Sequence, residues 1–397
     1  MKKGFKKACA IALMGAMTVS LAACGSSGSE STSGSAGSSG GGDTIRFAVV
    51  GPMTGNSAQT GLNQQYGIQL AVDEINALGG INGKQLEYDV FDDQANPNQA
   101  VICGEKIVAD GGYDFVVAPV NSGCSLSMYP TLLEYDMPII SGVNTSDSLS
   151  EQGFKNYLRI PPTDGAMMEQ LIDTAVKDFG SKKPAVIYSS AEADVNCYEQ
   201  SVAYLKDNYG VEYVGAAEVQ VETEKDFTAH ITNFMNAGAD ALFFFGEYDL
   251  GGLLLNQKYS AGFDVPMFTR SGCSNVQIIE IAGDQAAESL YTMACFDPSN
   301  PDEKVQNFVK NFTELAGFEP CEQASGAYDV IYMLYQTLNG NEEAAALRDN
   351  ELVEYLRANA VLDGVMVDVD GFDENGDNPL AKAVVLSVQD GKFVVYQ

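Results

Sequence analysis

Short apolar runs alternate with amphipathic segments along most of this chain. Residues 44–50 are rich in β-branched and aromatic side chains, and this run ends at a Gly-Pro pair. Such a run predicts a strand that ends in a loop. In the next segment, Ile68, Ala71, Val72 and Ile75 recur at the spacing of one helix face. The pattern therefore predicts a strand followed by a helix.

The same alternation continues, stops at Pro161-Pro162, and then restarts. Helical patterns separate the apolar runs on both sides of this break. The strands that these runs predict cover residues 85–91, 114–118, 138–140, 185–189, 213–219, 241–245 and 266–269. Strands and helices in strict alternation predict parallel sheets with helices on both faces. Two such blocks predict an α/β protein with two doubly wound lobes.

The last third of the chain completes these lobes instead of forming a third one. It contains a strand-like run at 290–295, helical patterns at 305–315, 324–338 and 341–359, and a strand-rich end at 380–396. We expect the chain to cross between the lobes near Arg159, Leu290 and Asp363. Lobe 1 would then comprise residues 44–160 and about 291–365, and lobe 2 residues 161–290 and about 374–397. Three crossovers would form a hinge.

The first residues have the pattern of an export signal. Lysines at positions 2, 3, 6 and 7 precede an apolar run at 8–21 that is too short to span a bilayer. We expect residues 1–23 to be a signal peptide, because Leu21-Ala22-Ala23-Cys24 resembles a bacterial lipobox. Cys24 would then carry the lipid. The Gly/Ser-rich remainder of residues 24–42 would be a flexible tether.

The charge balance is strongly acidic, with 54 acidic and 22 basic residues and a formal net charge of −32. This balance argues against nucleic acid and against anionic lipid surfaces as partners. The chain has one histidine, His230, and the sequence shows no phosphate-binding loop and no zinc-ligand spacing. We therefore expect no enzyme activity, no cofactor and no metal. The aspartates between Asp368 and Asp377 do not match the EF-hand spacing, and an acidic turn is expected there.

Six cysteines follow Cys24, and the sequence leaves their pairing open. They are Cys103, Cys124, Cys197, Cys273, Cys295 and Cys321. An exported chain can form disulfides, and Cys103 with Cys124 is the first pair to consider. Buried free thiols are an equal alternative, because cysteine packs well as a small apolar residue.

Polar residues follow two neighbouring predicted strands. One strand is followed by Asn121-Ser122-Gly123, and the next by the run from Ser141 to Thr145. Because ligands of open α/β sheets bind at the carboxyl ends of strands, these residues predict one half of a binding site. The alternative is that Ser122 and Thr145 only cap helices.

Four stretches resemble one family, and the likeness extends over residues 44–397. They are 48–55, 71–83, 92–100 and 372–377, and the segment Ala-Val-Asp-Glu-Ile-Asn-Ala-Leu-Gly-Gly at 71–80 is the most specific. The chain resembles the type I periplasmic solute-binding proteins, in the branched-chain amino-acid branch that serves ABC importers. The resemblance implies a ligand in the cleft between two lobes.

The resemblance also implies roles for individual residues. Ser122 would bind the ligand carboxylate, Thr145 would meet both charged ends, and the Val143 carbonyl would accept from the ammonium. In the second lobe the chain departs from the family, since Ser271 stands where amino-acid binders place an acid. The complete set of expected ligand-binding residues is Thr60, Ser122, Gly123, Cys124, Val143, Thr145, Asp194, Glu247, Tyr248 and Ser271.

Two interpretations of the second lobe remain open. If Glu247 supplies the missing carboxylate, the ligand is an amino acid; if Arg270 points inward, the ligand is a more anionic carboxylic acid. We expect a monomeric, lipid-anchored, extracytoplasmic binding protein that delivers a small solute to ABC permease subunits. The alternatives are a ligand sensor for a signalling partner and a binder of a non-amino-acid carboxylate or an amide.

Overall fold

The computed structural model describes residues 44–221 and 223–396. The expected signal peptide, Cys24 and the tether lie outside the described residues. The strands of the described chain are β1 (Thr44–Gly51), β2 (Gln85–Asp92), β3 (Phe115–Val117), β4 (Ile139–Ser141), β5 (Tyr157–Arg159), β6 (Pro184–Ser189), β7 (Gly215–Val219), β8 (Ala241–Phe245), β9 (Met267–Thr269), β10 (Leu290–Ala294), β11 (Val361–Leu362), β12 (Val369–Asp370), β13 (Val384–Gln389) and β14 (Lys392–Val395).

Helices connect most of these strands. They are α1 (Ala58–Ala77), α2 (Pro97–Asp110), α3 (Ser122–Leu133), α4 (Ser148–Glu151), α5 (Asp164–Asp173), α6 (Glu192–Tyr209), α7 (Thr228–Ala237), α8 (Tyr248–Ser260), α9 (Gln277–Ala282), α10 (Asp284–Ala287), α11 (Glu303–Ala316), α12 (Glu322–Leu338) and α13 (Asp349–Asn359). Among the described residues, no helix combines the length and the apolar character needed to span a lipid bilayer.

The first sheet is parallel throughout and has the order β2-β1-β3-β4-β5. Apart from the edge strand β2, its strands bury both faces, as parallel strands covered by helices on two sides do. In β1, Phe47 and Val49 belong to one apolar cluster, while Ala48 and Val50 belong to a cluster on the opposite face. The predicted alternation of strands and helices is confirmed here, and β5 is an additional strand at the sheet edge.

The second sheet has the order β14-β13-β10-β9-β8-β6-β7. Its central part is parallel, whereas β13 runs antiparallel to both β10 and β14. In β8, Leu242 and Phe244 pack on one side, and Phe243 and Phe245 pack on the other. Each lobe is therefore a sheet between two layers of side chains, and the fold is α/β as expected.

Two of the expected crossover points are wrong. Leu290 pairs with Met267 in the second sheet, so the chain leaves lobe 2 after β10 and not near residue 290. The third crossover comes later than Asp363, because Val367, Val369 and Phe372 still pack in the core of lobe 1. In both cases an apolar run extends the lobe that it follows, since burying its side chains there removes more surface from water.

One further expectation needs correction, and the structure decides between the two alternatives left open for the cysteines. The helix expected at 341–359 is shorter in the structure. Leu347 is extended, and the helix begins at α13, whose first residue, Asp349, has a φ of 52°. The six cysteines of the described chain are free and buried, so Cys103 and Cys124 form no disulfide. In the same part of the chain, no group of three or more His, Cys, Asp or Glu side chains is placed to hold a metal ion.

A buried arginine in β5 binds the acidic turn that ends at Asp377. Arg159 is fully buried, and its guanidinium donates to Asp377 at 2.7 Å and to the Ser146 carbonyl at 2.7 Å. The Arg159 backbone N–H also donates to the Gly376 carbonyl at 2.8 Å. The acidic turn expected near Asp377 therefore supplies the counter-charge of a buried cation.

Replacing Asp377 with asparagine should destabilise the protein by about 3 kcal/mol, because the Arg159 charge would remain buried without its carboxylate. The measurement is the urea midpoint of unfolding. The matched control is Asp370→Asn, because Asp370 is exposed. This variant should leave the free energy of unfolding within about 0.5 kcal/mol of wild type. Equal midpoints for both variants would contradict this role of the ion pair.

Candidate functional site

The carboxyl ends of the strands in both lobes face one cavity of about 520 Å³. That volume falls within the range of small-molecule sites. Its walls come from the loops after β3 and β4, from the ends of β6, β8 and β9, and from the start of α12. Eight of the ten expected binding residues line it: Ser122, Gly123, Cys124, Val143, Thr145, Asp194, Glu247 and Ser271.

Asn144 holds the two first-lobe loops together. Its side-chain amide donates to the carbonyls of Pro119 at 2.8 Å and Val120 at 3.0 Å. Its side-chain oxygen accepts from the hydroxyls of Ser125 at 2.9 Å and Tyr129 at 3.1 Å. Asn144 is fully buried, so these four hydrogen bonds fix the loops after β3 and β4 relative to each other.

The start of α3 offers backbone donors to the cavity. The N–H groups of Ser122, Gly123 and Cys124 precede the first intrahelical bond, which Ser125 makes to Asn121. Free N–H groups at the start of a helix favour an anion. In the described chain neither Ser122 nor Thr145 occupies an N-cap position, which Asn121 holds for α3 and Asp147 for α4. The capping alternative is therefore wrong for both residues.

Two expected binding residues lie elsewhere. Thr60 is buried inside α1, where its hydroxyl donates to the Ser57 carbonyl at 2.8 Å. Tyr248 packs in the apolar core of lobe 2, and its hydroxyl lies 3.4 Å from the Asn56 carbonyl. The structure does not bring either side chain into the cavity wall. Both satisfy their hydroxyl groups through backbone carbonyls.

Arg270 lies in the second-lobe wall and is held by two carboxylates. Its Nε donates to Asp194, which also accepts from the Ser189 hydroxyl, and its terminal nitrogen donates to Glu247 at 2.9 Å. Burial alone would lower the pKa of Arg270, but Asp194 and Glu247 raise it well above its ordinary value. Glu247 and Arg270 thus both face the cavity, and the two interpretations made from the sequence are not exclusive.

The hinge side of the cavity is formed by Glu322 and Gln323, which the sequence interpretation missed. Glu322 is 6% exposed, and its carboxylate accepts from the Cys295 backbone N–H at 3.3 Å. Burial raises the pKa of Glu322 to about 8, while a hydrogen bond from Ser271 opposes this rise. In the sequence, Glu322 resembles any glutamate in the first turn of a helix.

The side chains that line the cavity carry more negative than positive charge. Four carboxylates line it, those of Glu192, Asp194, Glu247 and Glu322, against one cation, Arg270. Burial also raises the pKa of Glu247 to about 7, although Arg270 partly offsets this effect. Such a site favours a ligand that brings a positive charge.

The two lobes touch at the mouth of the cavity. Ser146 of the first lobe donates to Glu192 at 3.1 Å, and Gln200 of the second lobe donates to Asp147 at 2.8 Å. These contacts connect the loop after β4 to α6. A molecule in the cavity would contact both lobes, so its binding is coupled to how close the lobes lie.

The sequence model of the family described as periplasmic binding protein matches residues 44–392. The chain belongs to this family. It is 31% identical over 345 residues to the leucine-, isoleucine-, valine-, threonine- and alanine-binding protein of Pseudomonas aeruginosa, an alignment that covers 84% of this chain and 87% of the relative. The resemblance drawn from the sequence is thereby confirmed.

Solved structures of periplasmic binding proteins share the fold. The branched-chain amino acid transporter substrate-binding protein LivJ of Streptococcus pneumoniae, in complex with isoleucine, has a TM-score of 0.80 and 24% identity, over 89% of this chain and 99% of that chain. A solute-binding protein of Rhodopseudomonas palustris, in complex with 3,4-dihydroxybenzoic acid, has a TM-score of 0.78 and 20% identity, over 89% and 97%. The type I fold is therefore confirmed.

The raised pKa values predict that the protein is more stable at mildly acidic pH. In the folded state the pKa of Glu322 is about 8 and that of Glu247 about 7, whereas glutamate in an unfolded chain has a pKa of about 4.3. The folded state therefore binds these protons more tightly. The stabilisation is complete below the unfolded pKa and is lost as pH rises through the folded pKa. We expect the urea midpoint of unfolding to decrease as the pH rises from 5 to 8.5.

The variant Glu322→Gln, which stays neutral, should flatten the upper part of this dependence. Glu319→Gln is the control, because Glu319 is exposed and precedes the same helix. That variant should keep the wild-type slope. A wild-type midpoint that rises steadily over this pH range would contradict the raised pKa values.

Proposed function

We propose that this chain is the extracytoplasmic substrate-binding component of an ABC importer and that its solute is an amino acid. The observation that supports this most strongly is the composition of the cavity. It combines a helix start with free N–H groups, at Ser122, and an excess of carboxylates on the opposite side. A zwitterion with a carboxylate and an ammonium group complements both ends.

The charge of Arg270 bears on the alternative, a carboxylic acid without an amine. An arginine in the wall without carboxylate partners would favour such a ligand. The solved complex with 3,4-dihydroxybenzoic acid shows that a protein of this fold can bind a carboxylic acid that has no amine. Here Asp194 and Glu247 neutralise Arg270. An additional anion would have to displace one of them or add to their charge, so the amino acid is the better match.

Binding would connect the lobes. The ligand carboxylate would occupy the first-lobe wall with Ser122 and Thr145, while Asp194, Glu247 and Ser271 face it from the second lobe. Micromolar affinity corresponds to roughly −8 kcal/mol. A few charge-assisted hydrogen bonds in an enclosed cavity can supply this free energy. The closed form would be the one that the permease subunits recognise.

Replacing Ser122 or Thr145 with alanine should weaken binding of the tightest-binding amino acid by about 1.5–3 kcal/mol, because each hydroxyl would serve the buried carboxylate. A thermal-shift screen of amino acids, aromatic acids and amides identifies the ligand, and calorimetry measures the loss. Ser127→Ala is the matched control, since Ser127 lies one turn further along α3 and its hydroxyl donates to Gly123 at 2.9 Å. Unchanged affinity in the double variant Ser122→Ala/Thr145→Ala would remove these residues from the site.

Lipid attachment at Cys24 is part of this proposal and concerns residues outside those that the structure describes. The support is the position of Cys24 directly after an apolar run in the sequence. In an expressing bacterium, Cys24→Ser should shift the protein from the detergent-rich phase to the aqueous phase of a Triton X-114 extraction. Cys9→Ser is the control and should stay with the detergent. Identical partitioning of wild type and Cys24→Ser would exclude the lipid anchor.

A further inference from the structure

Two of the carboxylates in the cavity, those of Glu192 and Glu322, have no cationic partner among the described residues, and Glu322 is the more deeply buried of the two. Asp194 and Glu247 hold Arg270, and Glu192 accepts from the Ser146 hydroxyl. The hydrogen-bond partners of Glu322 are neutral, the Cys295 backbone N–H at 3.3 Å and the neighbouring Gln323 amide at 3.4 Å among them. A buried carboxylate without a counter-charge is costly unless a cation meets it.

We propose that Glu322 receives the ammonium group of the ligand and thereby selects solutes that carry both an amine and a carboxylate. This inference rests on the proposed function, because it assigns the second half of the same site. The chain has a neutral Ser271 where the resemblance places an acid, and Glu322 faces the same cavity from another segment. Glu322 would replace the missing acid from the hinge side.

The fold holds the first turns of α12, the helix that begins at Glu322, against the loop that carries Thr145. A Cβ atom on Gly326, one turn into α12, would lie 1.9 Å from the Gly142 carbonyl oxygen. Only glycine permits this approach of two backbones. The carboxylate-binding loop and the start of α12 therefore form one rigid unit within lobe 1. Both charged ends of an amino acid would be held by that unit before the second lobe closes.

Glu247 is another carboxylate that could bind the amine, but its negative charge is already paired with Arg270. Its oxygen lies 2.9 Å from the Arg270 guanidinium, and its side chain is 21% exposed. An ammonium group beside Glu247 would also approach the positive charge of Arg270. Repulsion from that guanidinium makes Glu322 the more favourable site.

The protonation of Glu322 gives this assignment a distinct signature. Burial raises the pKa of Glu322 to about 8, so near pH 7 the carboxyl group is mostly protonated. An arriving ammonium would lower that pKa, and the proton would pass to the buffer. The titratable and charged groups that affect or respond to Glu322 are Arg270, Glu247, Cys295 and Cys321.

The decisive experiment is a cycle of two proteins and two ligands, measured by calorimetry. The ligands are the tightest-binding L-amino acid and its analogue with hydrogen in place of the amino group. In the wild type we expect the analogue to bind about 10- to 100-fold more weakly, the range of a charge-assisted hydrogen bond. In Glu322→Gln the two ligands should bind within about threefold of each other, because the partner of the amine is gone.

A second readout uses the wild type alone and does not depend on the variant folding. Titrations at pH 7 in buffers of different ionisation enthalpy should show release of about half a proton to one proton with the amino acid and less with the analogue. Glu319→Gln, which removes the same charge from an exposed position, should behave as wild type in both experiments. Glu322→Asp, which keeps the charge, should retain part of the preference for the amine.

The outcomes separate this inference from the proposed function. If amino acids bind but Glu322→Gln keeps the full preference for the amine, the assignment of Glu322 is overturned and amino-acid binding stands. The same holds if Glu247→Gln, and not Glu322→Gln, removes the preference. If no amino acid binds the wild type while a carboxylic acid without an amine does, the proposed solute class itself is wrong.

Discussion

The need to neutralise one buried arginine determines the chemistry of the cleft. Arg270 lies at the end of β9, 8% exposed, between Asp194 and Glu247. A cation at this depth is stable only with carboxylates beside it. Because those two carboxylates are paired with Arg270, they stabilise the second lobe and offer a ligand little unpaired negative charge. The groups left to meet a solute are the helix start at Ser122 and the carboxylates of Glu192 and Glu322, of which Glu322 is the more deeply buried.

The same physical rule applies to Arg159, a second buried arginine. Arg159 is fully buried and binds Asp377, which lies more than 200 residues further along the chain. Its guanidinium also holds the Ser146 carbonyl, next to Thr145. Each of these two buried cations therefore connects strand ends that are far apart in the sequence. One positions the first-lobe loop, and the other organises the second-lobe wall.

The sequence predicted the fold well because it depends on local patterns. Alternating strands and helices, stopped by glycine and proline, fixed nearly every element of both sheets within a few residues. The site was predicted where polar residues directly follow a strand, as at Ser122 and Thr145. It was missed at Glu322, because α12 lies far along the chain and only tertiary packing against Gly142 brings it to the cleft.

The wrong assignments have the same origin. Thr60 and Tyr248 stand close to cavity-lining residues in the sequence, yet Thr60 is buried within α1 and Tyr248 packs in the core of lobe 2. The crossover was expected at Leu290 because the local sequence pattern of a strand does not show which of the two sheets the strand joins. Only the pairing of Leu290 with Met267 decides between them. The direction of a side chain and the pairing of a strand both depend on the tertiary structure.

The most direct test is a crystal structure of the protein with its tightest-binding amino acid. We predict that the ligand carboxylate lies at the start of α3, on the backbone N–H groups of Ser122 and Cys124 and the Thr145 hydroxyl. The ammonium group should lie within hydrogen-bonding distance of Glu322, with Arg270 still held by Asp194 and Glu247. A ligand carboxylate bound to Arg270, or an ammonium group on Glu247 with Glu322 left without it, would contradict this account.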